Sequence, residues 1–251
     1  MQSDKWLLIT GSAVRLGREI ALAAAQADWG VILHYRGSSQ EASETLQLLR
    51  DANRKAVAVQ GDLQNPAGID AFFSEALSLS NGRIGALVNS ASRFEWDDLD
   101  SASLQTFQDH MNVNVYAPLL LCRLFARHLP NDLMGNIVNI LDFKLSNPNP
   151  DHLSYTLSKY ALAGLTQILA RQLAPGIQVN AVAPGYMLPA PGQSDEEFQE
   201  KSKRTPLKRS AKLEDVVDAV SFLLNNQSIT GQTLTIDCGL SFNSLHQDIG
   251  R

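Results

Sequence analysis

Hydrophobic positions along the chain alternate between two spacings. Runs of about five consecutive apolar residues recur, and the segments between them place apolar residues three or four positions apart. The runs predict seven strands, at Lys5–Thr10, Gly30–Tyr35, Ala56–Gln60, Ile84–Asn89, Asn136–Leu141, Gln178–Val182 and Thr233–Ile236. The segments between them predict helices over Leu16–Asp28, Gln40–Asn53, Asp70–Ser78, Ser103–Leu129, Ser154–Leu173 and Glu214–Leu224.

This alternation predicts an α/β fold with a doubly wound, parallel, seven-stranded sheet. Strands that are apolar along their whole length are typical of a sheet covered by helices on both faces. No linker or repeat divides the chain, so residues 1–251 are predicted to form a single Rossmann-type domain. The irregular stretch at residues 184–204 is either a surface loop or a lid over the cleft, and its place after a strand favours the lid.

Composition limits the classes of function. The chain is 44% hydrophobic and 19% charged, as ordinary globular proteins are, and its net charge of −5 argues against binding nucleic acid or an anionic membrane. Neither the first residues nor any later run is apolar for long enough to predict a signal peptide or a membrane span. Cys122 and Cys238 lack metal-binding spacing and the five histidines are scattered, so we expect no metal and a cytoplasmic location.

A glycine turn follows the first predicted strand directly. Gly11 permits the tight turn, and Gly17 permits close packing of the helix that starts at Leu16. The free N–H groups at that helix start attract a pyrophosphate. Arg15 occupies the position of a third glycine.

The end of the second predicted strand indicates which nicotinamide cofactor is bound. NAD-binding enzymes place a carboxylate there for the ribose, but this chain has His34, Tyr35, Arg36 and Ser38, with no acid before Glu41. A guanidinium and hydroxyls favour a 2′-phosphate, so we expect NADPH. An ordinary polar loop is the alternative.

Tyr155 and Lys159 are four residues apart, which places both on one face of a predicted helix. A nearby ammonium favours the phenolate and would lower the pKa of the tyrosine. Asp142 precedes Tyr155 by 13 residues, at the end of the fifth predicted strand.

The glycine turn and the Tyr155–Lys159 pair resemble those of the short-chain dehydrogenase/reductase family. The resemblance implies that Tyr155 donates a proton, that Lys159 holds the ribose hydroxyls, and that Asn114 is the active-site asparagine. It places Asp62 near the adenine amino group, although Asp62 could equally cap a helix. It also implies cofactor contacts from Leu63, Asn89, Ser90, Ala91, Pro184 and Gly185.

Four features resemble one branch of that family, the pteridine reductases. They are Arg15 in the glycine turn, the LHYRGS segment of the second strand, NSASRF after the fourth strand, and Asp142 in place of the usual serine. The resemblance implies that a pterin lies between the nicotinamide and Phe94, near Ser92, and that Arg15 faces both the pyrophosphate and the pterin. The alternative for Phe94 is an anchor between loop and core.

Asp142 changes the chemistry that the site is expected to support. An ionised carboxylate cannot donate a hydrogen bond to a ketone oxygen, but a protonated one could supply a proton to nitrogen during C=N reduction, directly or through water and Tyr155. A degenerate, inactive site is the alternative.

The leading hypothesis is therefore NADPH-dependent reduction of a dihydropterin or a similar small-molecule C=N substrate. A carbonyl reductase of the 3-oxoacyl thioester or sugar type is the second reading, and a non-catalytic NADPH-binding sensor the third. By the same resemblance we expect a homotetramer built on the Ser103–Leu129 and Ser154–Leu173 helices.

Overall fold

The computed structural model describes residues 5–189, 192 and 194–242. Seven parallel strands form one sheet in the order β3-β2-β1-β4-β5-β6-β7. The strands are β1 Trp6–Ile9, β2 Gly30–Tyr35, β3 Ala56–Gln60, β4 Ile84–Asn89, β5 Gly135–Ile140, β6 Ile177–Pro184 and β7 Thr233–Ile236. The strand order reverses between β1 and β4, which is where doubly wound sheets leave a crevice for ligands.

Among the described residues, eight α-helices connect the strands. They are α1 Arg15–Gln26, α2 Ser39–Asp51, α3 Ile69–Leu79, α4 Leu104–Met111, α5 Ala117–His128, α6 Leu153–Gln172, α7 Asp195–Ser202 and α8 Leu213–Asn225. Among the described residues, no helix combines the length and the apolar character that crossing a bilayer requires.

The core has two apolar layers, one on each face of the sheet. Successive strand residues point to opposite faces, so Leu8 belongs to one layer while its neighbours Leu7 and Ile9 belong to the other. The Leu8 layer packs against α3, α5 and α6, and the Leu7 layer against α1 and α8. The predicted doubly wound α/β fold is confirmed, because helices and apolar layers lie on both faces of the parallel sheet.

Two predicted segments differ from the structure. The helix expected over Ser103–Leu129 consists of α4 and α5, joined by a π-helical turn at Asn112–Tyr116. The stretch expected to be irregular at residues 184–204 contains α7, which starts with a capping box between Ser194 and Glu197. Residues 190, 191 and 193 of that stretch lie outside the described residues.

Two glycines determine how closely α1 approaches the sheet. A Cβ atom on Gly17 would lie 2.2 Å from the carbonyl oxygen of Gly11. Gly11 has a φ of +67°, and a Cβ atom on it would lie 2.9 Å from Cα of Ala91, beyond β4. Both obstacles are backbone atoms, so a methyl group has no flexible neighbour to displace.

Replacing Gly17 with alanine should therefore lower the free energy of unfolding by at least about 2 kcal/mol, because the backbone must move to admit the methyl group. Gly68→Ala is the control, since Gly68 has helical backbone angles. A Cβ atom on Gly68 would lie 3.9 Å from Nδ2 of Asn65, the nearest atom that it would meet. The control should change stability by less than about 0.5 kcal/mol. Urea denaturation measures both variants, and equal losses would contradict the steric explanation.

Candidate active site

A cavity of about 700 Å³ opens at the carboxyl ends of the strands, on both sides of the reversal between β1 and β4. Most residues singled out from the sequence lie on its wall. They are Gly11, Arg15, Leu16, Gly17, His34, Tyr35, Arg36, Ser38, Asp62, Leu63, Ser90, Ala91, Ser92, Phe94, Asp142, Tyr155, Lys159, Pro184 and Gly185. Of the residues expected at the site, Asn89 and Asn114 are absent from the described wall.

Side-chain hydrogen bonds join the ends of the strands beneath this cavity. The Thr10 hydroxyl oxygen accepts the backbone N–H groups of Ser90 and Ala91, each at 3.0 Å, which joins the end of β1 to the end of β4. The Ser12 hydroxyl oxygen accepts the backbone N–H of His34 at 2.9 Å, which joins the glycine turn to β2. The floor of the cavity is therefore built before any ligand arrives.

His34 fastens three strand ends. Its Nδ1 accepts the backbone N–H of Gly11 at 2.9 Å, and its Nε2 donates to the carbonyl oxygen of Gly61, beyond β3, at 3.1 Å. Only the neutral ring with its proton on Nε2 satisfies both partners. Burial lowers the pKa of His34 to about 4. His34 was expected to contact the cofactor; it lies on the cavity wall, and its ring nitrogens bind Gly11 of the turn and Gly61 beyond β3.

Arg15 lies at the start of α1 with a φ of +53°, a left-handed conformation that favours glycine. Its side chain is exposed, and Nη2 donates to the carbonyl oxygen of Pro189 at 3.1 Å. The guanidinium thus connects the glycine turn to the segment that follows β6. A strained backbone that carries a cation into a cleft is typical of a functional position.

The loops after β2 and β3 form one end of the cavity. Arg36 is exposed on the wall, and Ser38 precedes α2 without using its hydroxyl to cap that helix. Asp62 accepts the backbone N–H of Gln64 at 3.0 Å. The residue that caps the following 3-10 turn is Asn65, so the helix-cap alternative for Asp62 is wrong.

Asn89 faces the interior and not the cavity. Its Nδ2 donates to Oδ1 of Asn139 on β5 at 2.8 Å, and Nδ2 of Asn139 donates to the Thr166 hydroxyl at 2.9 Å. This corrects the expected cofactor contact of the Asn89 side chain, because the adjacent strand offers its amide a buried partner. Ser90 and Ala91, at the strand's end, carry that segment onto the cavity wall.

Asp142 and Tyr155 form the buried acid pair of the site. The Tyr155 hydroxyl donates to Oδ2 of Asp142 at 2.7 Å, while Oδ1 accepts the backbone N–H of Lys144 at 2.9 Å. Burial raises the pKa of Asp142, even though these two donors oppose the rise. Burial and the neighbouring carboxylate raise the pKa of Tyr155 well above 10. The expectation that the ammonium of Lys159 makes Tyr155 more acidic is thus wrong in this state.

Lys159 explains that difference. Its Nζ donates to the carbonyl oxygen of Ile140 at 2.8 Å and lies 5.5 Å from the centre of the Tyr155 ring. Burial lowers the pKa of Lys159 to about 8, although the charge of Asp142 opposes that change. The ammonium is therefore held by the end of β5, and the carboxylate controls the tyrosine.

Asn114 positions a loop from within the π-helical turn. Its Oδ1 accepts the backbone N–H of Arg93 at 2.8 Å, and its Nδ2 donates to the carbonyl oxygen of Arg93 at 3.0 Å and to the Ser158 hydroxyl at 2.8 Å. The Ser92 hydroxyl donates to the same Oδ1 at 3.2 Å. Both polar atoms of this buried amide therefore bind the loop after β4 or α6, and the catalytic role of Asn114 stays a prediction.

Phe94 lies on the wall with 44% of its surface exposed. Its ring meets Tyr155 edge to face, with 4.7 Å between the centres, and stacks on His152 at 4.1 Å with an interplanar angle of 19°. A simple anchor between loop and core would be more buried. The sequence analysis did not identify His152, because no motif connects it to Phe94.

Arg93 also lies on the wall of the cavity. It donates to Gln64 at 3.0 Å and to Glu95 at 2.8 Å, so it joins the loop after β3 to the loop after β4. Within the part of the chain that the structure describes, no group of three or more His, Cys, Asp or Glu side chains is arranged to hold a metal ion.

The family model described as enoyl-(acyl carrier protein) reductase matches residues 11–241. The chain belongs to the short-chain dehydrogenase/reductase family. This match covers the glycine turn, the Asp142–Tyr155 pair and strands β2 to β7.

Known members of the short-chain dehydrogenase/reductase family resemble the chain along nearly its whole length. FolM alternative dihydrofolate reductase 1 from Brucella canis, crystallised with NADP, superposes with a TM-score of 0.94 at 33% identity, covering 100% of this chain and 99% of that one. Glucose 1-dehydrogenase 2 of Bacillus subtilis is 29% identical over 95% of each chain. The 3-oxoacyl-(acyl-carrier-protein) reductase FabG of Staphylococcus aureus is 28% identical over 96% of this chain and 99% of its own.

The neutral state of His34 predicts a loss of stability in acid. The unfolded chain protonates His34 below about pH 6.5, whereas the folded protein resists protonation down to about pH 4. The free energy of unfolding should therefore fall between these values, with up to about 3 kcal/mol due to His34. His34→Asn keeps an acceptor near Nδ1 but does not titrate. Denaturation at several pH values should show a shallower slope for the variant, and equal slopes would contradict this assignment.

Proposed function

We propose that this short-chain reductase uses NADPH to reduce a C=N bond of a dihydropterin or a closely related flat nitrogen heterocycle. The buried hydrogen bond between Tyr155 and Asp142 carries this proposal. Through this bond the carboxyl group of Asp142 lies where a ketone reductase would need a hydroxyl donor. Burial raises the pKa of that carboxyl group. The similarity to an alternative dihydrofolate reductase supports the same substrate class.

The glycine turn and the loop after β2 suit NADPH. Gly11 and Gly17 let α1 start close against the end of β1 and beside the cavity, where its free N–H groups would bind a pyrophosphate. Arg36 and Ser38 would hold the 2′-phosphate, Asp62 and Leu63 the adenine, and Lys159 the ribose near the nicotinamide. Arg15, Tyr35 and the segments at Ser90–Ala91 and Pro184–Gly185 complete the cofactor site. The dihydronicotinamide supplies the hydride when it is bound.

The chain itself supplies the proton. Reduction of a C=N bond adds hydride to carbon and a proton to nitrogen. The Tyr155 hydroxyl, whose pKa is raised, keeps its proton at neutral pH and holds it against Asp142. Asp142, once protonated, replaces the proton that Tyr155 gives up, or gives its own to the substrate nitrogen. Burial raises the pKa of both groups, which favours the protonated form of each.

The substrate site lies between Phe94 and the nicotinamide position. Phe94 offers an exposed aromatic face, and offset stacking of a flat ring on it contributes about 0.5–1.5 kcal/mol beyond burial of area. Ser92 and Arg15 lie on the same wall and would bind polar atoms at the edge of the ring. The segment at residues 184–204, which carries Met187 on the wall and the Pro189 contact with Arg15, would serve as the lid.

A carbonyl reductase of the 3-oxoacyl thioester type is the second candidate. The resemblance to FabG along nearly the whole chain favours it. In that case Asp142 would be tolerated at a position where a serine would serve better, and Tyr155 alone would donate to the carbonyl oxygen.

We also propose that the protein is a cytoplasmic homotetramer. Apolar side chains remain exposed on the outer faces of α4, α5 and α6, at Phe107, Leu119, Leu157, Tyr160 and Ile168. Exposed apolar patches on helices are typical of subunit interfaces. Both cysteines are free thiols, which suits a reducing compartment.

Arg36→Ala should weaken NADPH binding about 10- to 100-fold, because the 2′-phosphate loses a charge-assisted hydrogen bond. NADH binding should stay nearly unchanged, since NADH has no phosphate there. Arg50→Ala removes an exposed cation from the last turn of α2 and serves as the control. Fluorescence titration of the wild type and both variants with each cofactor measures six dissociation constants, and a parallel loss for both cofactors in Arg36→Ala would refute the assignment of Arg36.

The purified protein should oxidise NADPH, followed at 340 nm, when 7,8-dihydrobiopterin, dihydromonapterin or dihydrofolate is added. Asp142→Ser should slow this reaction at least about 100-fold, because the carboxyl group that replaces the proton of Tyr155 is lost. The same variant should retain or gain activity on an acetoacetyl thioester, since a serine donates to a carbonyl oxygen.

Turnover of the thioester without turnover of any pterin would establish the second candidate instead. If the protein binds NADPH tightly but oxidises none with either substrate, the result would favour the non-catalytic NADPH-binding sensor. In that case Tyr155→Phe would leave the function of the protein unchanged.

A further inference from the structure

The segment that presents Phe94 is held by its backbone on both sides of the ring. We call Arg93–Asp97 the aromatic segment. Before the ring, Asn114 binds both backbone polar groups of Arg93. After the ring, the backbone N–H of Glu95 donates to Nε2 of His110 at 3.3 Å. The carbonyl oxygen of Glu95 accepts Nδ1–H of His152 at 2.9 Å.

The far end of the aromatic segment is joined to the helix that carries Tyr155. The carbonyl oxygen of Asp97 accepts the backbone N–H of Leu153 at 3.1 Å, and its carboxylate accepts that of Ser154 at 3.0 Å. These two N–H groups belong to the first turn of α6, which has no partner for them within the helix. Asp97 is buried and replaces a local helix cap, so the segment and α6 start as one unit.

His152 connects the two parts directly. It precedes α6 with a φ of +54°, a conformation uncommon for residues other than glycine, and its ring does not cap that helix. The side chain instead donates to Glu95 and stacks on Phe94, with ring centres 4.1 Å apart. One imidazole thus supports both the backbone and the ring of the segment, three residues before Tyr155.

We propose that His152 is a positioning residue that fixes the plane of Phe94 relative to the Tyr155 hydroxyl. This inference rests on the proposed function, because the plane of Phe94 matters only where a flat substrate stacks on it. Proton transfer requires the substrate nitrogen to lie within hydrogen-bonding reach of its donor. His152 holds the Phe94 ring and directly precedes the helix that carries Tyr155, so it would keep the distance between that ring and the Tyr155 hydroxyl constant.

Three variants separate the two contacts of His152. His152→Asn keeps an N–H donor near the position of Nδ1 and tolerates the left-handed backbone, but it removes the stacked ring. His152→Ala removes both the ring and the donor. His128→Asn is the matched control, because His128 lies on α5 and donates to the Leu124 carbonyl oxygen within its own helix.

His152→Asn should raise KM for the dihydropterin about two- to tenfold, which is the range expected for one lost aromatic contact. KM for NADPH and the melting temperature should stay at the wild-type values, a split that a merely structural role would not produce. His152→Ala should raise KM for the pterin at least as much and also lower kcat. The reason is that the segment carrying Phe94 loses the hydrogen bond between Glu95 and His152, which we call the tether. Equal KM values in His152→Ala and the His128→Asn control would overturn the proposal, as would parallel changes in both KM values.

Hydrogen exchange tests the tether without any substrate. The Glu95 N–H donates to His110 in every variant, so its exchange rate reports how often the aromatic segment opens. It should exchange roughly two- to tenfold faster in His152→Ala, because the Glu95 carbonyl oxygen loses its bond to His152, and at the wild-type rate in His152→Asn, which keeps that bond. Phe94→Ala leaves that hydrogen bond in place and should not change this rate. An unchanged rate in His152→Ala would refute the tether. A wild-type protein that reduces no pterin would refute the proposed function instead, and the exchange rates would still decide the tether.

Discussion

The missing side chain at Gly17 lets α1 start directly against the Gly11 carbonyl oxygen, which a Cβ atom would approach to 2.2 Å. That contact fixes where the first turn of α1 lies relative to β1, and the hydrogen bonds of Thr10 and His34 then bring the ends of β4, β2 and β3 to the same edge. The cavity exists because four strand ends meet around one narrow turn. A side chain at either glycine would widen the turn and separate the wall residues that the chemistry needs together.

Burial also determines the protonation of the acid pair, Asp142 and Tyr155. A carboxylate in water would be ionised at neutral pH, but burial makes its charge costly and raises its pKa. The neighbouring phenol responds by holding its proton more firmly, since a phenolate beside a carboxylate would place two negative charges 2.7 Å apart. Lys159 cannot reverse this, because its own desolvation is expensive and its ammonium is bound to the Ile140 carbonyl oxygen. Tyr155 therefore keeps its proton beside Asp142 and does not act as a phenolate base.

Local patterns in the sequence predicted the strands, most of the helices and the residues at strand ends. Arg36 and Asp142 could be identified because each directly follows a strand, and Arg15 because it lies in the glycine turn. Phe94 was identified only through the resemblance to pteridine reductases. His152 could not be identified, since its partners lie 57 and 58 residues away at Glu95 and Phe94 and only the folded chain brings them together. The π-helical turn was hidden because an apolar periodicity continues across it. The start of α7 was readable, because Ser194 and Glu197 have the spacing of a capping box.

The proposed pterin chemistry and the ketone alternative differ in what Asp142 must accept and donate. A ketone offers only an oxygen acceptor, on which negative charge develops during reduction, so an ionised carboxylate nearby opposes the reaction and Tyr155 alone would have to donate the proton. A pterin presents N–H donors beside its nitrogen acceptors, so an ionised carboxylate accepts from the ring and a protonated one donates to it. Asp142 is therefore complementary to a flat nitrogen heterocycle in both protonation states. The exposed face of Phe94, 4.7 Å from Tyr155 between ring centres, supplies the apolar contact that a short oxoacyl chain would leave unused. The protonation chemistry of Asp142 and the aromatic ring of Phe94 thus support the proposed class of substrate, a flat nitrogen heterocycle, for independent physical reasons.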